Sequence, residues 1–268
     1  MKAALCQMNL AWQDPKANLV QVRTFLDEAK SKGADLIIFP EMCLTGFSMK
    51  TEEAAYAPDS RYLRELIEST KDCHSLVFAG VAVRRPEGPF NECWVLRDGA
   101  LLATYQKVNL FSYSGEHDAY RAGKAITLLG PSESALPRIC PFICYDLRFP
   151  EIFLRGAEQG AELFVVIANW PEARREQWKL LLRARALDTQ AFVIGVNRVG
   201  SGDGLSYSGE SAVFDPSGKQ LNEFGIEEGM VLVDLDPTQT GIFRSKFPVL
   251  ADRARLAQCS TSIQITGV

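Results

Sequence analysis

The sequence predicts an α/β fold in a single domain, with helices covering β-sheet. Short apolar runs of strand length alternate along the chain with segments in which apolar residues recur at helical spacing. Of the 268 residues, 47% are hydrophobic and 23% charged, a composition that can bury a sizeable core without disulfides or a structural metal. No repeat or flexible linker divides the sequence. Its nearest candidate boundary, residues 84–90, has the prolines and glycine of a hairpin loop.

The first half of the sequence predicts strands and helices in alternation. Residues 18–32 carry apolar side chains at helical spacing, and Gly33 follows where a helix C-cap belongs. Asp98-Gly99 separates two apolar runs, as the turn of a β-hairpin does. We predict further strands at 1–8, 35–39 and 76–83, a helix at 59–71, and hairpin strands at 91–96 and 101–106.

The second half repeats this alternation. The basic pair Arg174-Arg175 opens a long helix and is interpreted as part of a solvated or dimer-facing surface. We assign residues 1–248 to the domain, and residues 249–268, which lack clear periodicity, to a C-terminal tail that is a candidate subunit arm. The predicted helices are 150–159 and 174–190, and the predicted strands are 138–143, 163–168, 192–197, 211–214, 220–224 and 230–234.

Charge and composition exclude several classes of partner. The net charge of −4 argues against nucleic-acid binding, which depends on clustered Lys and Arg. No apolar run reaches the ~20 residues of a membrane helix, so we expect no membrane partner. The seven cysteines are odd in number and scattered, which fits a reducing compartment and predicts a cytoplasmic protein. With two histidines and no CxxC, a metal site or a histidine-based catalytic triad is not expected.

Three polar residues follow apolar runs at predicted strand ends, where α/β folds bind ligands. Glu41 follows LIIFP, Lys107 follows LLATYQ, and Cys144 lies between CPFI and the helix that begins at Pro150. A cysteine at such a turn is placed like a nucleophile elbow, and without histidine it needs a carboxylate base and a cation. Each residue also has an ordinary interpretation: a buried thiol, a helix cap or surface charge, and a solvated lysine.

The segments FPEMCLTGF, YQKVNLF and ICYDLRFPE resemble the three catalytic signatures of the nitrilase superfamily of carbon–nitrogen hydrolases, in the same order and at similar spacing. VIANWP, QWKLLLRARALDTQAFVIGVNRVG, YSGESAVFDPSG and KFP extend the resemblance over nearly the whole chain. The resemblance implies an α-β-β-α four-layer sandwich that forms a homodimer or higher homo-oligomer. It also implies that the protein uses neither a metal nor an organic cofactor.

The resemblance also implies roles for individual residues. Cys144 would be the nucleophile, Glu41 would take its proton and later activate water, and Lys107 would stabilise the oxyanion. The main-chain N–H of Tyr145 would be a second oxyanion donor. Glu116, in FSYSGEH, would be the superfamily's second glutamate, which orients the lysine and the substrate.

Within the superfamily, CYDLRFP, ANWP and NRVG resemble the bacterial ω-amidase branch. That branch hydrolyses small dicarboxylic monoamides such as 2-oxoglutaramate and succinamate. Arg148 is our candidate for binding the far carboxylate, and an ion pair with Asp146 or Glu151 is the alternative. Four further residues are expected to wall the pocket, with a core or rim role as the alternative for the aromatic ones: Phe47, Tyr113, Asn169 and Trp170.

One position departs from the superfamily pattern, and several functions remain open. Many relatives have a histidine where this sequence has Asn109, from which we expect altered pocket packing rather than inactivity. The alternatives within the superfamily are an N-carbamoyl amide hydrolase, a deaminated-glutathione amidase and a nitrilase. A non-catalytic scaffold on the same fold is a further alternative, and so is an acyltransferase that uses the same thioester.

Overall fold

The structure is a computed structural model that describes residues 1–130, 136–223 and 225–256, and its centre is a pair of facing β-sheets. In chain order the strands are β1 (Lys2–Gln7), β2 (Leu36–Ile38), β3 (Leu76–Arg85), β4 (Gly88–Arg97), β5 (Ala100–Gln106), β6 (Ile139–Ile143), β7 (Leu163–Ala168), β8 (Phe192–Asn197), β9 (Val199–Gly202), β10 (Leu205–Ser208), β11 (Ala212–Phe214) and β12 (Gly229–Asp234). Within these ranges the larger sheet has the order β12-β1-β2-β3-β4-β5 and the smaller β11-β8-β7-β6, while β9 and β10 form a separate hairpin.

Helices cover the outer face of each sheet. They are α1 (Pro15–Ser31), α2 (Thr51–Ala54), α3 (Arg61–Glu68), α4 (Glu116–Ala119), α5 (Pro150–Glu158), α6 (Arg175–Thr189), α7 (Thr238–Lys246) and α8 (Val249–Leu256), with 3-10 helices at Ser112–Ser114, Cys144–Arg148 and Glu172–Arg174. α1 and α3 pack on the larger sheet, and α5 and α6 pack on the smaller one. The result is the predicted α-β-β-α sandwich. None of the described helices combines the length and the apolar character needed to cross a bilayer.

Period-two alternation explains how β1 serves two cores. Ala3 and Leu5 point into the core between the sheets, while Ala4 and Cys6 point into the core beneath α1 and α3. All four side chains are fully buried, as expected for a strand covered on both faces. A one-residue slip in register would exchange the two sets, so this pattern fixes the register.

Most predicted elements are confirmed within a few residues, and the differences have local causes. α1 begins at Pro15, earlier than predicted, because Asp14 caps it by accepting a hydrogen bond from the Ala17 amide at 3.0 Å. The loop at 84–90 is a tight turn between β3 and β4, not a boundary. The hairpin of β9 and β10 was not predicted.

Two predictions near the C-terminus were wrong in part. The strand expected at 220–224 reduces to an isolated bridge between Phe214 and Gln220, and residue 224 lies outside the described residues. The tail, expected to lack periodic structure, begins with α8 at Val249–Leu256. Residues 257–268 lie outside the described part of the chain, so a subunit arm stays a prediction.

The topology brings four chain segments to one edge of the sandwich. β1, β2 and β3 are parallel, as are β6, β7 and β8, so their carboxyl ends meet at common edges. The segments that leave β2, β5, β6 and β7 carry the candidate catalytic residues.

Candidate active site

Glu41 lies in the loop that leaves β2 and packs directly against β3. The backbone can approach because position 80 is glycine: a Cβ there would lie 2.5 Å from the Glu41 Cα. The Glu41 carboxylate is fully buried and accepts hydrogen bonds from the backbone N–H of Asn169 at 2.8 Å and from the side-chain Nδ2 of Asn91 at 2.7 Å. The Asn169 side chain donates to the Glu41 carbonyl at 2.5 Å, so this loop is fixed from both sheets.

Lys107 follows β5 and places its ammonium between two buried carboxylates. Its Nζ lies 2.9 Å from Glu41 Oε1 and 2.9 Å from Glu116 Oε2, and all three side chains are fully buried. Burial opposes the charged lysine, but Glu116 and Glu41 outweigh it and raise the lysine pKa. Lys107 therefore stays protonated and can act as a fixed positive charge.

Glu116 opens α4 directly after Gly115, whose φ of +76° is the left-handed conformation that suits glycine. Besides Lys107, its carboxylate accepts from the Phe111 amide at 2.6 Å and from Asn91 Nδ2 at 2.9 Å. Asn91 thus bridges both carboxylates through one amide nitrogen. The loop that follows Lys107 thus holds the Glu116 carboxylate, and this carboxylate in turn holds the Lys107 ammonium in place.

Cys144 is the first residue after β6 and has a φ of +47°, an unusual conformation for a residue with a side chain. Such strain at a strand-to-helix turn pushes the side chain out of the sheet, as in a nucleophile elbow. Cys144 is half-buried, and its Sγ lies 3.8 Å from the Asn169 carbonyl oxygen. Burial and then the Glu41 carboxylate raise the pKa of the thiol, which rests protonated beside Glu41.

The amide of Tyr145 belongs to the first turn of the 3-10 helix that begins at Cys144. The leading N–H groups of a helix have no partner inside the helix, so they are available to an incoming oxygen. This is the position expected of a main-chain oxyanion donor.

Asp146 joins the elbow to the lysine loop. Its carboxylate accepts from the Ile143 amide at 3.0 Å, from the Tyr105 hydroxyl at 2.8 Å, and from both the backbone and the side-chain nitrogens of Asn109 at 2.9 Å. Burial raises the Asp146 pKa to about 6, despite Lys107 and these donors. Asn109 therefore contacts Asp146 and is not among the residues that line the pocket.

A pocket of about 650 Å³, a volume that includes open solvent at its mouth, contains Cys144 in its lining. Of the predicted wall residues, Phe47, Asn169 and Trp170 line it, and the Phe47 ring centroid lies 5.1 Å from Lys107 Nζ. Tyr113 does not line it and is 86% exposed, because its short 3-10 helix turns the side chain towards solvent. Asn169 also holds Glu41, a role that the sequence did not suggest.

Arg148 reaches into this pocket and stacks on its wall. The guanidinium lies 4.8 Å from the Trp170 ring centroid and donates to Gln177 Oε1 at 2.6 Å. Within the described ranges Arg148 forms no ion pair with Asp146 or Glu151, the alternative considered above. Its charge is thus available to a ligand.

Among the residues of the site that sequence reasoning missed, two are polar and contact or line the centre of the site: Asn91 and Arg174. Asn91 lies inside β4, and the only signal in the sequence was that a polar residue occurs within a largely apolar strand. Arg174 was interpreted as part of a solvated or dimer-facing helix, but it lines the pocket. Its position four residues after Trp170, beyond the carboxyl end of β7, was the available signal.

A further cation lies behind the pocket wall. Arg198 is fully buried, and its guanidinium stacks 4.5 Å from the ring centroid of Tyr207, which lines the pocket. It donates to the carbonyls of Leu10, Val199 and Ser201, and within the described chain it has no carboxylate partner. Burial lowers its pKa to about 10, which leaves it charged at neutral pH. In the same part of the chain, no three His, Cys, Asp or Glu side chains are grouped as metal ligands.

Comparison with protein families and curated proteins places this geometry in context. The family model described as carbon-nitrogen hydrolase matches residues 2–244. The chain is 34% identical to the omega-amidase YafV of Yersinia enterocolitica, over 94% of this chain and 96% of that protein. It is 32% identical to the 2-oxoglutaramate amidase of Bacillus subtilis, over 92% of this chain and 95% of the relative.

Two solved structures are similar over almost their full length. One is a CN-hydrolase superfamily protein from Xanthomonas campestris with an arsenic adduct in its active site, at 31% identity, a TM-score of 0.87 and 99% coverage of both chains. The other is a mutant of the amidase from Nesterenkonia in which acrylamide has added to the active-site cysteine. It shows 26% identity and a TM-score of 0.80, over 93% of this chain and 98% of that one.

Proposed function

Because the chain belongs to the carbon-nitrogen hydrolase family, we propose that its substrates are small dicarboxylic monoamides of the 2-oxoglutaramate and succinamate type, from whose terminal carboxamide it releases ammonia. One observation carries this proposal: Cys144 stands at a strained elbow beside a buried Glu41–Lys107–Glu116 cluster, at the base of a pocket that contains free guanidinium groups. The similarity to proteins named omega-amidase and 2-oxoglutaramate amidase supports it.

The first step is attack of Cys144 on the carboxamide carbon. The resting thiol is protonated, so Glu41 accepts its proton as the S–C bond forms. Negative charge then develops on the amide oxygen. Lys107 already donates to Glu41 Oε1 and to both oxygens of Glu116, so it stabilises this oxygen through its positive charge, and the Tyr145 amide supplies an N–H donor.

The second step releases ammonia and leaves a thioester. Protonated Glu41 returns its proton to the amide nitrogen, the C–N bond breaks, and the electron pair leaves with ammonia. Glu41 is then a carboxylate again and deprotonates a water that attacks the thioester carbon. When the C–S bond breaks, the proton returns to Sγ, so one amide and one water give one carboxylic acid and one ammonia.

Charge explains why an anionic substrate suits this site. With both carboxylates ionised, Glu41, Glu116 and Lys107 carry a net charge of −1, which repels a carboxylate. Arg148 at the pocket wall and Arg198 behind it compensate. The pocket can therefore hold the far carboxylate of the substrate while its amide end faces Cys144.

The oligomeric state and location are also part of the proposal. Four apolar side chains in α6 and in or next to α7 are more than 40% exposed, which supports an interface between two copies: Leu180, Leu187, Ile242 and Phe247. The cysteines of the described residues are free thiols, which supports a cytoplasmic location. Light scattering coupled to size exclusion tests the predicted homodimer, and a monomer would contradict it.

Ammonia release from a panel of compounds tests the activity. The panel holds 2-oxoglutaramate, succinamate, glutamine, an N-carbamoyl amino acid, deaminated glutathione and an aliphatic nitrile, with Cys144→Ala as the matched control. We expect hydrolysis of the first two, abolished in the variant. Preference for the carbamoyl compound, deaminated glutathione or the nitrile would agree with the proposed catalytic residues but refute 2-oxoglutaramate and succinamate as the substrates.

Cysteine labelling, together with the panel, separates an enzyme from a scaffold. An amide-like electrophile such as acrylamide should alkylate Cys144 in the wild type, and mass spectrometry of the labelled peptide shows it. If no compound is turned over and other cysteines are labelled as readily, the protein is a scaffold rather than an amidase.

A further inference from the structure

Arg174 lines the same pocket as Arg148. It ends the 3-10 helix Glu172–Arg174, and its carbonyl accepts the Trp170 indole N–H at 2.8 Å. Its guanidinium lies 5.4 Å from the Phe111 ring centroid. Arg174 lines the pocket, and in the described part of the chain it has no ion-pair partner, so its charge is available to a ligand there.

Two guanidinium groups therefore line one pocket, each close to an aromatic ring. Like charges in a confined space destabilise one another unless an anion lies between them. Arginine offers only donors, arranged in a planar fork that fits a carboxylate. One guanidinium group can bind one carboxylate, so the other guanidinium group remains available to a further acceptor oxygen on the same ligand.

We infer that Arg174 recognises the 2-oxo group beside the carboxylate that Arg148 binds, so the pocket selects 2-oxo acid amides over 2-amino acid amides. This inference rests on the proposed function. A 2-oxo acid presents three acceptor oxygens to the paired guanidiniums. A 2-amino acid presents an ammonium there, which sets donor against donor and positive charge against positive charge.

The acidic residue of the pocket does not reverse this preference. Asp203 lies in the turn between β9 and β10 and is exposed, so water screens its charge. Arg148 and Arg174 are each only partly exposed and stack on the wall. The local field at the far end of the pocket is thus positive.

Binding to a catalytically silent protein tests the inference without turnover. In a Cys144→Ala background, calorimetry compares 2-oxoglutaramate, glutaramate and glutamine, which differ only at carbon 2. We expect the affinity to fall in that order. Arg174→Gln should weaken 2-oxoglutaramate roughly 10- to 100-fold, as expected for a hydrogen bond to a charged donor, and glutaramate less than about 3-fold.

The neighbouring arginine provides the matched control. Arg175 is half-exposed, pairs with Glu176 at 3.3 Å and does not line the pocket, so Arg175→Gln should change no affinity. Equal weakening of 2-oxoglutaramate and glutaramate by Arg174→Gln, or no weakening, would overturn the inference. Failure of Cys144→Ala to bind any of the three would also overturn it, whereas the proposed function is tested separately, by whether the wild type releases ammonia from 2-oxoglutaramate and succinamate in preference to the other compounds of the panel.

Discussion

Replacing Gly80 with alanine tests how closely Glu41, the proposed catalytic base, must be held. An alanine Cβ would lie 2.5 Å from Glu41 Cα, 2.6 Å from Met42 N and 2.6 Å from Pro40 O. All three are backbone atoms, so no rotation of a side chain can relieve the contact. Ordinary contact starts at 3.4 Å, and the loop must therefore move about 0.9 Å away from β3.

The hydrogen bonds around the loop direct this movement to Glu41. The Cys43 amide binds the Gly80 carbonyl at 2.8 Å, and the Gly80 amide binds the Pro40 carbonyl at 3.2 Å, so strand and loop are tied on both sides of the glutamate. Misplacing a catalytic group by ~1 Å costs about 100-fold in rate. Overpacking adds a loss of about 1–3 kcal/mol in the free energy of unfolding.

We therefore expect Gly80→Ala to lower kcat for ammonia release about 100-fold while the protein still folds. Steady-state kinetics and urea unfolding measure the two effects. Gly241→Ala is the control: no atom lies within 4 Å of its Cβ, it lies in α7, and alanine should leave kcat unchanged and the helix no less stable. A Gly80→Ala protein with reduced stability and wild-type kcat would show that β3 moves rather than the loop that carries Glu41. That result would refute the expectation that the substitution displaces Glu41.

Two further substitutions test the charges of the site. Burial raises the pKa of Asp146 from 3.8 to about 6, so the folded state holds this proton more tightly than the unfolded chain does. The free energy of unfolding that protonation of Asp146 contributes is therefore fully present below about pH 4 and is lost as the pH rises through 6. The unfolding free energy of the wild type relative to Asp146→Asn should fall by about 3 kcal/mol between pH 4 and 7 in urea titrations, and a constant difference would contradict the burial argument. Glu116→Gln removes the larger of the two carboxylate effects on the Lys107 pKa and should lower kcat on the order of 100-fold with little change in KM. A changed KM with unchanged kcat would instead place Glu116 in substrate binding.

The sequence predicted those site residues that follow an apolar run. Glu41, Lys107 and Cys144 could be found because strand ends are visible in a sequence and parallel strands end at one edge. Glu116 came from the family resemblance alone. Asn91 could not be found this way, because its partners depend on how β4 lies beside β3 and the loop behind it.

Local turn chemistry explains a second omission. Asp98-Gly99 correctly predicted a hairpin, and Asp203-Gly204 offers the same signal between β9 and β10. Both residues of the second turn have positive φ, at +49° and +75°. The strands beside it are short and rich in serine and glycine, so the apolar alternation that made the first hairpin recognisable is missing there.

The hydrogen bonds between Glu41 and Asn169 join residues that are 128 positions apart and belong to different sheets. Cys144, the proposed nucleophile, follows a strand of one sheet, and Glu41, its proposed base, follows a strand of the other. A chain with only one sheet in place therefore has a thiol without a base, or a base without a thiol. During refolding, ammonia release should therefore return at the rate at which the two sheets dock on each other. Partly folded chains in a cell would have no hydrolytic activity.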